Sequence, residues 1–597
     1  MIIQKSNITP AVMMLIMTSL ALMLYKCGER KSEQNNNTGV DSAMIIETKK
    51  TVKFVNYLRH TVKALNDSTD IKIFNIDNKN TRVIKQFYKL EKYTPIWISN
   101  NKSNERTNTI LNLFKNAAAY GLDSSFYSYS KLKKIQKSLE KDTVFKISNY
   151  AKFEVLLTGK CLEFMSHLRG GVIYPDTLVY GQVLSQYPDS FYIFLSKSIK
   201  KNDFRNAVLS IQPNFEAYKK LQSGLEKFVA ENEMSKKKIF LPNYKTDSVR
   251  CYTKTKEVLI QNNYLSKQGI NLHFYAEQLV NELSNIEIEN KETEIDILKN
   301  NEYDSLFFEA LKRFQKNHGL NPDGKIGKNS YNALRKNNYD RYVQAIAGME
   351  RLRWERRLPT RYVYVNIPTY KMQVIKNDSI KIEFKIVVGT PKKATPTLNS
   401  LIKTIITYPD WHVPYSISSK ELLPKIKKDS TYLKRNNYVL MNKQRQAVNA
   451  EAVNWKEISG RNFEYYIKQK SGRRNALGNV KFIFPNEYSV YLHDTQSRHL
   501  FNNEIRAYSH GCMRLHNPIG FGEYLLQNDN NNKIHPDTFK LFMQNRTRKY
   551  INLNKPLPIY VRYVTCVGND EDELIFYKDI YKKDKKIAEQ ILAQKKQ

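Results

Sequence analysis

Hydrophobic periodicity assigns this chain to the α+β class, as a multidomain protein with its helices first and its strands last. Apolar residues recur at helical spacing through the N-terminal half, as in Phe153, Leu157, Cys161, Phe164 and Leu168. From Tyr362 the period becomes two, in Tyr362–Ile367, Met372–Ile375 and Phe384–Gly389. Length is the third observation: 597 residues suit two to four domains, and 41% hydrophobic with 12% aromatic content argues for packed cores rather than extended disorder.

Residues 1–27 open with an uncharged apolar run, Ala11 to Tyr25, after Lys5. As a helix it spans about 22 Å, short of the ~30 Å hydrocarbon core, which suits the central region of a secretory signal. Cys27 follows directly and suggests a lipoprotein processing site with lipid on that cysteine. Lys26 departs from the small residue such sites carry, so an uncleaved membrane anchor is the alternative. Either reading exports the chain and leaves residues 28–50 as a polar tether.

Residues 51–245 read as a helical scaffold domain. Its landmarks are Val83–Tyr88, Tyr93–Trp97, Gly121-Leu122-Asp123 and a long helix around Asn149 to Leu168, closed by Gly170-Gly171. Nothing in it carries chemistry. Residues 250–338 form a second, small helical module. Val258, Leu259 and Leu265 begin it, and Leu306, Ala310, Leu311 and Phe314 make a stripe that ends at Gly319. Asp323-Gly324 is a turn, with Asn329 or Ser330 as cap of the last helix. Arg341 to Arg357 is a charged connector helix. The β-rich domain then runs from 360 to 567, with a turn at Asn377-Asp378. Residues 416–471 interrupt it with charged runs such as Lys425–Asp429 and few alternating apolar positions, so they are expected to lie over one face. Residues 568–597 are a charged tail, expected to be a solvated helix.

The net charge of +38 raises nucleic acid as a partner, but the lysines are scattered and no zinc-finger or RRM motif is present, so none is assigned. Attraction to an anionic wall or membrane surface accounts for the charge equally well. The five cysteines, Cys27, Cys161, Cys251, Cys512 and Cys566, have no framework spacing and imply no disulfides. Cys161 lies on an apolar helix face and Cys566 in a strand-like run. Cys512 alone lies in a polar, histidine-flanked turn, Tyr508–Leu515.

Such a thiol suits nucleophilic catalysis, which needs a base or a positive field because the free thiol pKa is ~8.5. His493, nineteen residues upstream, is the candidate general base. In the alternating run Ser489–His493, Val490 and Leu492 face the core while Tyr491 and His493 share the other face. Asp494 then points away and is a poor candidate to orient the imidazole. Gly511 allows a sharp turn that leaves its own N–H and that of Cys512 for an oxyanion. His510 and Ser509 shape the turn and polarise the site. Arg514 is within reach of a substrate carboxylate, and Tyr491 and Ser509 are further candidate substrate contacts. No HExxH or paired CxxC spacing supports a metal, so neither metal nor cofactor is assigned. The alternative is a metal-dependent peptidase built on His493, His499, His510 and His516.

The run Asn475–Gly478, Lys481–Asn486, Tyr491–Thr495, Leu500-Phe501 and Arg506–Arg514 closely resembles the large bacterial L,D-transpeptidases with a YkuD-type catalytic domain. Phe314-Gln315, His318–Leu320, Asp323-Gly324, Ile326-Gly327 and Leu334 resemble a three-helix peptidoglycan-binding domain. The resemblance implies a periplasmic enzyme that acts on peptidoglycan stem peptides through a Cys512 thioester and forms 3→3 cross-links. It also implies that 416–471 is a capping insertion over the site. An L,D-carboxypeptidase that trims tetrapeptide stems uses the same residues. An inactive wall-binding lipoprotein is the reading if Cys512 does not acylate.

Overall fold

The computed structural model describes residues 38–65, 78–100, 102–141, 146–173, 175, 190–266, 302–355, 358–529 and 532–593. The export segment, Cys27 and the tether up to residue 37 therefore lie outside the described residues. The tether reading is corrected in its second half, because helix α1 already starts at Thr38 and runs to Ala64.

The N-terminal helices pack around α2 (Ile147–Gly170), which buries Phe153, Leu157, Cys161, Phe164 and Leu168 as its periodicity requires. Glu154, fully buried in α2, accepts the backbone N–H groups of Ile96, Trp97 and Ile98 and the Tyr88 hydroxyl. Those donors lower the cost of keeping a carboxyl in the core, yet burial still pushes its pKa up to about 7. α3 (Glu216–Glu231) leads from this core to the rest of the chain.

The second module contains α4 (Ser248–Gln261), α5 (Glu302–Asn317) and α6 (Lys328–Leu334) around Val258, Leu259, Phe307, Ala310, Leu311, Phe314 and Leu334. Two expectations fail here. Phe307 takes the core position expected of Leu306, which is 57% exposed. Neither Asn329 nor Ser330 caps α6: Gly327 stands at the N-cap, buried Ser330 accepts from Gln315 Nε2 at 3.0 Å, and Asn329 Nδ2 reaches Glu504 at 2.7 Å. Asn321 N–H also donates to Glu504, at 2.8 Å, so this module is docked on the strand-rich domain.

The expected connector is helix α7 (Asn338–Arg353), and it is a buried seam rather than a solvated link. Arg351, Arg353 and Glu350 are buried in it. Arg351 Nη1 pairs with Asp584 at 2.5 Å, and Glu350 accepts Ile173 N–H at 2.6 Å. The C-terminal segment is corrected for the same reason. β14 (Cys566–Gly568) pairs with β15 (Leu574–Phe576), and α8 (Asp584–Ala593) packs on α7, so 568–593 is a folded part of the seam.

The strand-rich domain begins with β1 (Arg361–Asn366), β2 (Lys371–Lys376) and β3 (Ser379–Gly389). Asn377 and Asp378 join β2 to β3 with φ of 51° and 58°, the paired positive values of a tight hairpin turn. β4 (Leu398–Thr407), β9 (Val480–Ile483), β10 (Leu492–His493), β11 (Ala507–Ser509), β12 (Met513–Leu515) and β13 (Lys549–Arg562) complete the sheet. Its order is β11-β3-β12-β10-β9-β4-β13-β1-β2, and pairing of β2 with β3 closes it. Inside lie Val363, Ile405, Phe482, Leu492, Met513, Leu515 and Phe521.

Residues 416–471 also differ from expectation. With β5 (Trp411–His412), they form a four-stranded sheet in the order β5-β8-β6-β7, where β6 is Tyr438–Met441, β7 Ala447–Val448 and β8 Tyr466–Gln469. Ile417, Leu422, Leu423, Ile426, Leu433, Leu440, Trp455, Phe463 and Ile467 give this insertion a core of its own. The lysines of 425–428 stay on the outside of a short helix while Ile426 turns inward, so a charged run and a packed element coexist.

Candidate active site

Three neighbouring strands build the site. Lys481 of β9 stands opposite His493 of β10, and His493 stands opposite Arg514 of β12. Opposed residues share a sheet face, so these three side chains form one row. The row on the other face, Phe482, Leu492 and Met513, is fully buried and holds the site to the domain core. Alternation places Tyr491 and Cys512 beside the charged row, and Met513 N–H donates to Tyr491 O at 3.0 Å. The expected placement of Val490 and Leu492 inward, with Tyr491 and His493 together, is present: the two rings lie 5.6 Å apart, edge to face.

Cys512 is half-buried, with the Tyr491 backbone N–H and the Tyr491 hydroxyl as the donors that act on its thiol. Burial pushes the thiol up, while those two donors and the Lys481 charge pull it back. The Tyr491 hydroxyl is itself pushed up by burial and by Cys512, and Trp411 on β5 pulls it back. No hydrogen bond joins Cys512 to His493 in this state. Catalytic contacts are often long before substrate binds.

His493 is 6% exposed, and its Nδ1 donates to Asp494 O at 2.5 Å. A carbonyl only accepts, so this bond places the hydrogen on Nδ1 and leaves Nε2 as the basic nitrogen. Burial, then Arg514 and Lys481, lower the imidazole pKa to about 3 against the opposing pull of the Asp494 and Leu477 carbonyls, which keeps the ring neutral at ordinary pH. Asp494 does orient the ring, but through its backbone. Its carboxylate is taken by Asn479 N–H at 2.8 Å, Thr495 N–H at 2.7 Å and Arg498 at 2.5 Å. Gly478, at φ +62°, makes room for it: a Cβ there would lie 2.4 Å from Asp494 Cγ.

The turn before the thiol differs from expectation in three ways. Gly511, at φ +115°, makes the turn, but its N–H donates to Ser509 Oγ at 3.3 Å, so it is not a free oxyanion donor. Among the described residues Cys512 N–H makes no hydrogen bond and is the donor left for that role. Ser509 is 3% exposed and donates to Cys512 O at 2.5 Å; it braces the turn and does not face substrate. His510 points outward, with Nε2 at 2.7 Å from Glu421 of the insertion, and Glu421 also holds Lys393 at 2.5 Å. Arg514 has no acidic partner among the described residues and remains available to a carboxylate.

Sequence reasoning missed four residues here. Lys481 stands in the charged row. Thr395 Oγ1 donates to Gly511 O at 2.8 Å, and Tyr581 OH donates to Gly389 O at 2.8 Å while accepting Thr395 N–H at 3.0 Å. Glu421 ties the insertion to the turn. Only Lys481 had a readable signal, as a lysine inside an alternating strand. The histidine alternative is not supported by geometry: no group of three or more His, Cys, Asp or Glu among the described residues is arranged to hold a metal.

Comparison with known proteins agrees with this geometry. Residues 360–520 match the profile of the YkuD L,D-transpeptidase catalytic domain, 281–334 that of the "Putative peptidoglycan binding domain" and 82–225 that of the "Scaffold domain". Of the second match, 281–301 lie outside the described residues. A Haemophilus influenzae protein named "Putative L,D-transpeptidase" is 32% identical over 225 residues, 38% of this chain and 45% of that protein, so the chain spans about half the length of the curated relative it matches. The structure of the Ldtfm–avibactam carbamoyl enzyme shares 12% identity over 34% of this chain and 49% of that one, at a TM-score of 0.16, too low to bear on the fold. The cysteine-bearing sheet is thus the part of the chain that matches the YkuD L,D-transpeptidase catalytic domain. The chain joins it to scaffold and peptidoglycan-binding segments.

Proposed function

We propose that this protein is a peptidoglycan L,D-transpeptidase that forms 3→3 cross-links through a thioester on Cys512. The observation that carries this reading is the single sheet face bearing Cys512, Tyr491, neutral His493 and two cations without acidic partners among the described residues, Lys481 and Arg514. The thiol adds to the carbonyl of the third residue of a tetrapeptide stem, and His493 Nε2 takes its proton. Cys512 N–H faces the oxyanion. Collapse breaks the amide, and the departing D-amino acid takes the proton from His493. A side-chain amine of a second stem then attacks the thioester, gives its proton to His493 and restores the thiol. Arg514 holds a stem carboxylate through two hydrogen bonds. The neutral imidazole supports a base that accepts the proton during attack.

The insertion supports closure over the intermediate, since its Glu421 meets the turn at His510. Exclusion of water there favours the amine acceptor over hydrolysis. We place the protein in the periplasm, tethered by lipid on Cys27 or by an uncleaved anchor, with the module at 250–338 binding wall and the helices at 51–245 supporting the catalytic domain. The test is mass analysis of muropeptides made from tetrapeptide donors by the purified protein and by Cys512→Ala. Cross-linked dimers from the first and none from a folded Cys512→Ala protein are expected. Tripeptide without dimer reassigns it as a carboxypeptidase, and dimers from both proteins overturn the nucleophile.

A further inference from the structure

We propose that Lys481 is the positioning cation of this nucleophile: from β9 it pins the Tyr491 ring against Cys512 and supplies the positive charge beside which the thiolate forms. The inference rests on the reading of Cys512 as nucleophile, but not on which substrate is cross-linked.

A lysine on a strand face ordinarily carries its ammonium out to water or to a carboxylate. Lys481 is half-buried and, among the described residues, pairs with no carboxylate. Its Nζ lies 3.7 Å from the centroid of the Tyr491 ring, well inside the ~6 Å reach of a cation over an aromatic face. Tyr491 in turn lies beside Cys512 on the same sheet face, where its backbone N–H and hydroxyl favour the thiolate. The chain of contact therefore runs from ammonium to ring to thiol.

The surroundings leave this charge uncancelled. Asp494 is committed to Arg498 and two backbone N–H groups, Glu421 to Lys393 and His510, and Asp410 to Arg548 and Lys468. The groups that face the thiol and its row are Tyr491 and His493 on β10, Arg514 on β12 and Lys481 on β9. His412 on β5 adds an imidazole whose pKa burial lowers, with Lys468, Arg445 and Lys481 contributing and Asp410, already paired with Arg548 and Lys468, opposing them. Among the described residues, none of the groups that face the thiol is a carboxylate. Burial lowers Lys481 and raises Cys512, and each group's charge partly offsets the penalty on the other. His493 cannot supply the charge, because it is neutral until it has taken the proton. A second cation held against the ring fills that gap.

The experiment follows alkylation of Cys512 by iodoacetamide, an uncharged reagent, against pH, with peptide mapping to separate Cys512 from the other cysteines. It compares the full chain with Lys481→Met and Lys481→Arg and monitors melting of each. Lys481→Met is expected to raise the inflection by about 1 pH unit, which slows alkylation roughly tenfold at pH 7.5. Lys481→Arg, which keeps a cation over the ring, is expected to stay close to the parent protein. Lys481→Gln carries the same test if the methionine variant is unstable. An unchanged inflection in the charge-removing variant, or equal shifts in the arginine and methionine variants, overturns the proposal. Because alkylation needs no stem peptide, this result stands apart from whether cross-linking is found.

Discussion

Buried and half-buried cations in this protein occur on two opposite terms. At the α7 seam two buried arginines are paired: Arg562 reaches Glu355 through Nε and through Nη2 at 2.9 Å, and Arg351 meets Asp584, which also accepts the Thr565 hydroxyl at 2.6 Å. On the Cys512 face, Lys481 and Arg514 have no carboxylate partner among the described residues. A paired cation staples two segments that are far apart in sequence. An unpaired one adds little to the fold and leaves its charge for a thiolate or a substrate. Changes to the seam should therefore lower stability, and changes to the face should lower chemistry.

The largest effect is expected at the seam. Glu355→Ala strands Arg562 in the core, and removing one partner of a buried pair costs about 3–5 kcal/mol. Chemical denaturation should show that loss, with the acylation rate per folded molecule unchanged. A loss under about 1 kcal/mol would erase the distinction between the two regions.

On the face, His493→Ala should slow acylation of Cys512 by roughly 10²–10⁴-fold at neutral pH, the usual contribution of a general base. The rate should partly recover above ~8.5, where thiols ionise unaided. The imidazole pKa of about 3 also fixes the sign in the parent protein. The base is competent wherever it is neutral, so acylation should not fall through an imidazole titration between pH 7 and pH 5. A fall with an inflection near 6.5 that vanishes in His493→Ala would contradict the buried, neutral ring.

Cys161→Ala tests the same contrast at a thiol. Cys161 is fully buried in α2 and its thiol is pushed far up by burial alone. The variant should lose about 1 kcal/mol of stability and keep its activity per folded molecule. The smallest effect concerns the insertion. Glu421 is an exposed link, so Glu421→Gln should raise the ratio of hydrolysed to cross-linked product only about two- to fivefold. Acylation by a small β-lactam should stay near the parent rate, and an unaltered product ratio would remove Glu421 from control of the acceptor.

Local pattern made much of this legible. The shift of period at Tyr362, the hairpin turn at Asn377-Asp378 and the inward alternation of Val490 and Leu492 each depend on a few consecutive residues. Cys512 stood out because a polar, glycine-containing turn is no place for a packing cysteine. What escaped depends on pairings across the sheet or across the chain. Lys481 reads as a solvent-facing strand lysine until the β9–β10 register brings it to His493. The Arg351–Asp584 pair joins residues 233 positions apart, so the tail looked solvated and α7 looked like a connector. Leu306 and Phe307 both fit a helical stripe, and only the neighbouring helix selects the phenylalanine. The insertion hid its core because its apolar residues are spread over short helices and strands with no common period. The Gly511 N–H was misassigned because the competing acceptor, Ser509 Oγ, lies within the same turn and its rotamer is not a property of sequence.

The most direct measurement is to trap the acyl-enzyme. The purified protein would be mixed with a disaccharide tetrapeptide donor in the presence of a metal chelator and without acceptor, quenched in acid within a turnover and digested for peptide mass mapping. The account predicts that the peptide containing Cys512 gains the mass of the donor less its terminal D-amino acid, and that the label is released by hydroxylamine as a thioester is. Turnover without any adduct on Cys512, or an adduct on another residue, would contradict it.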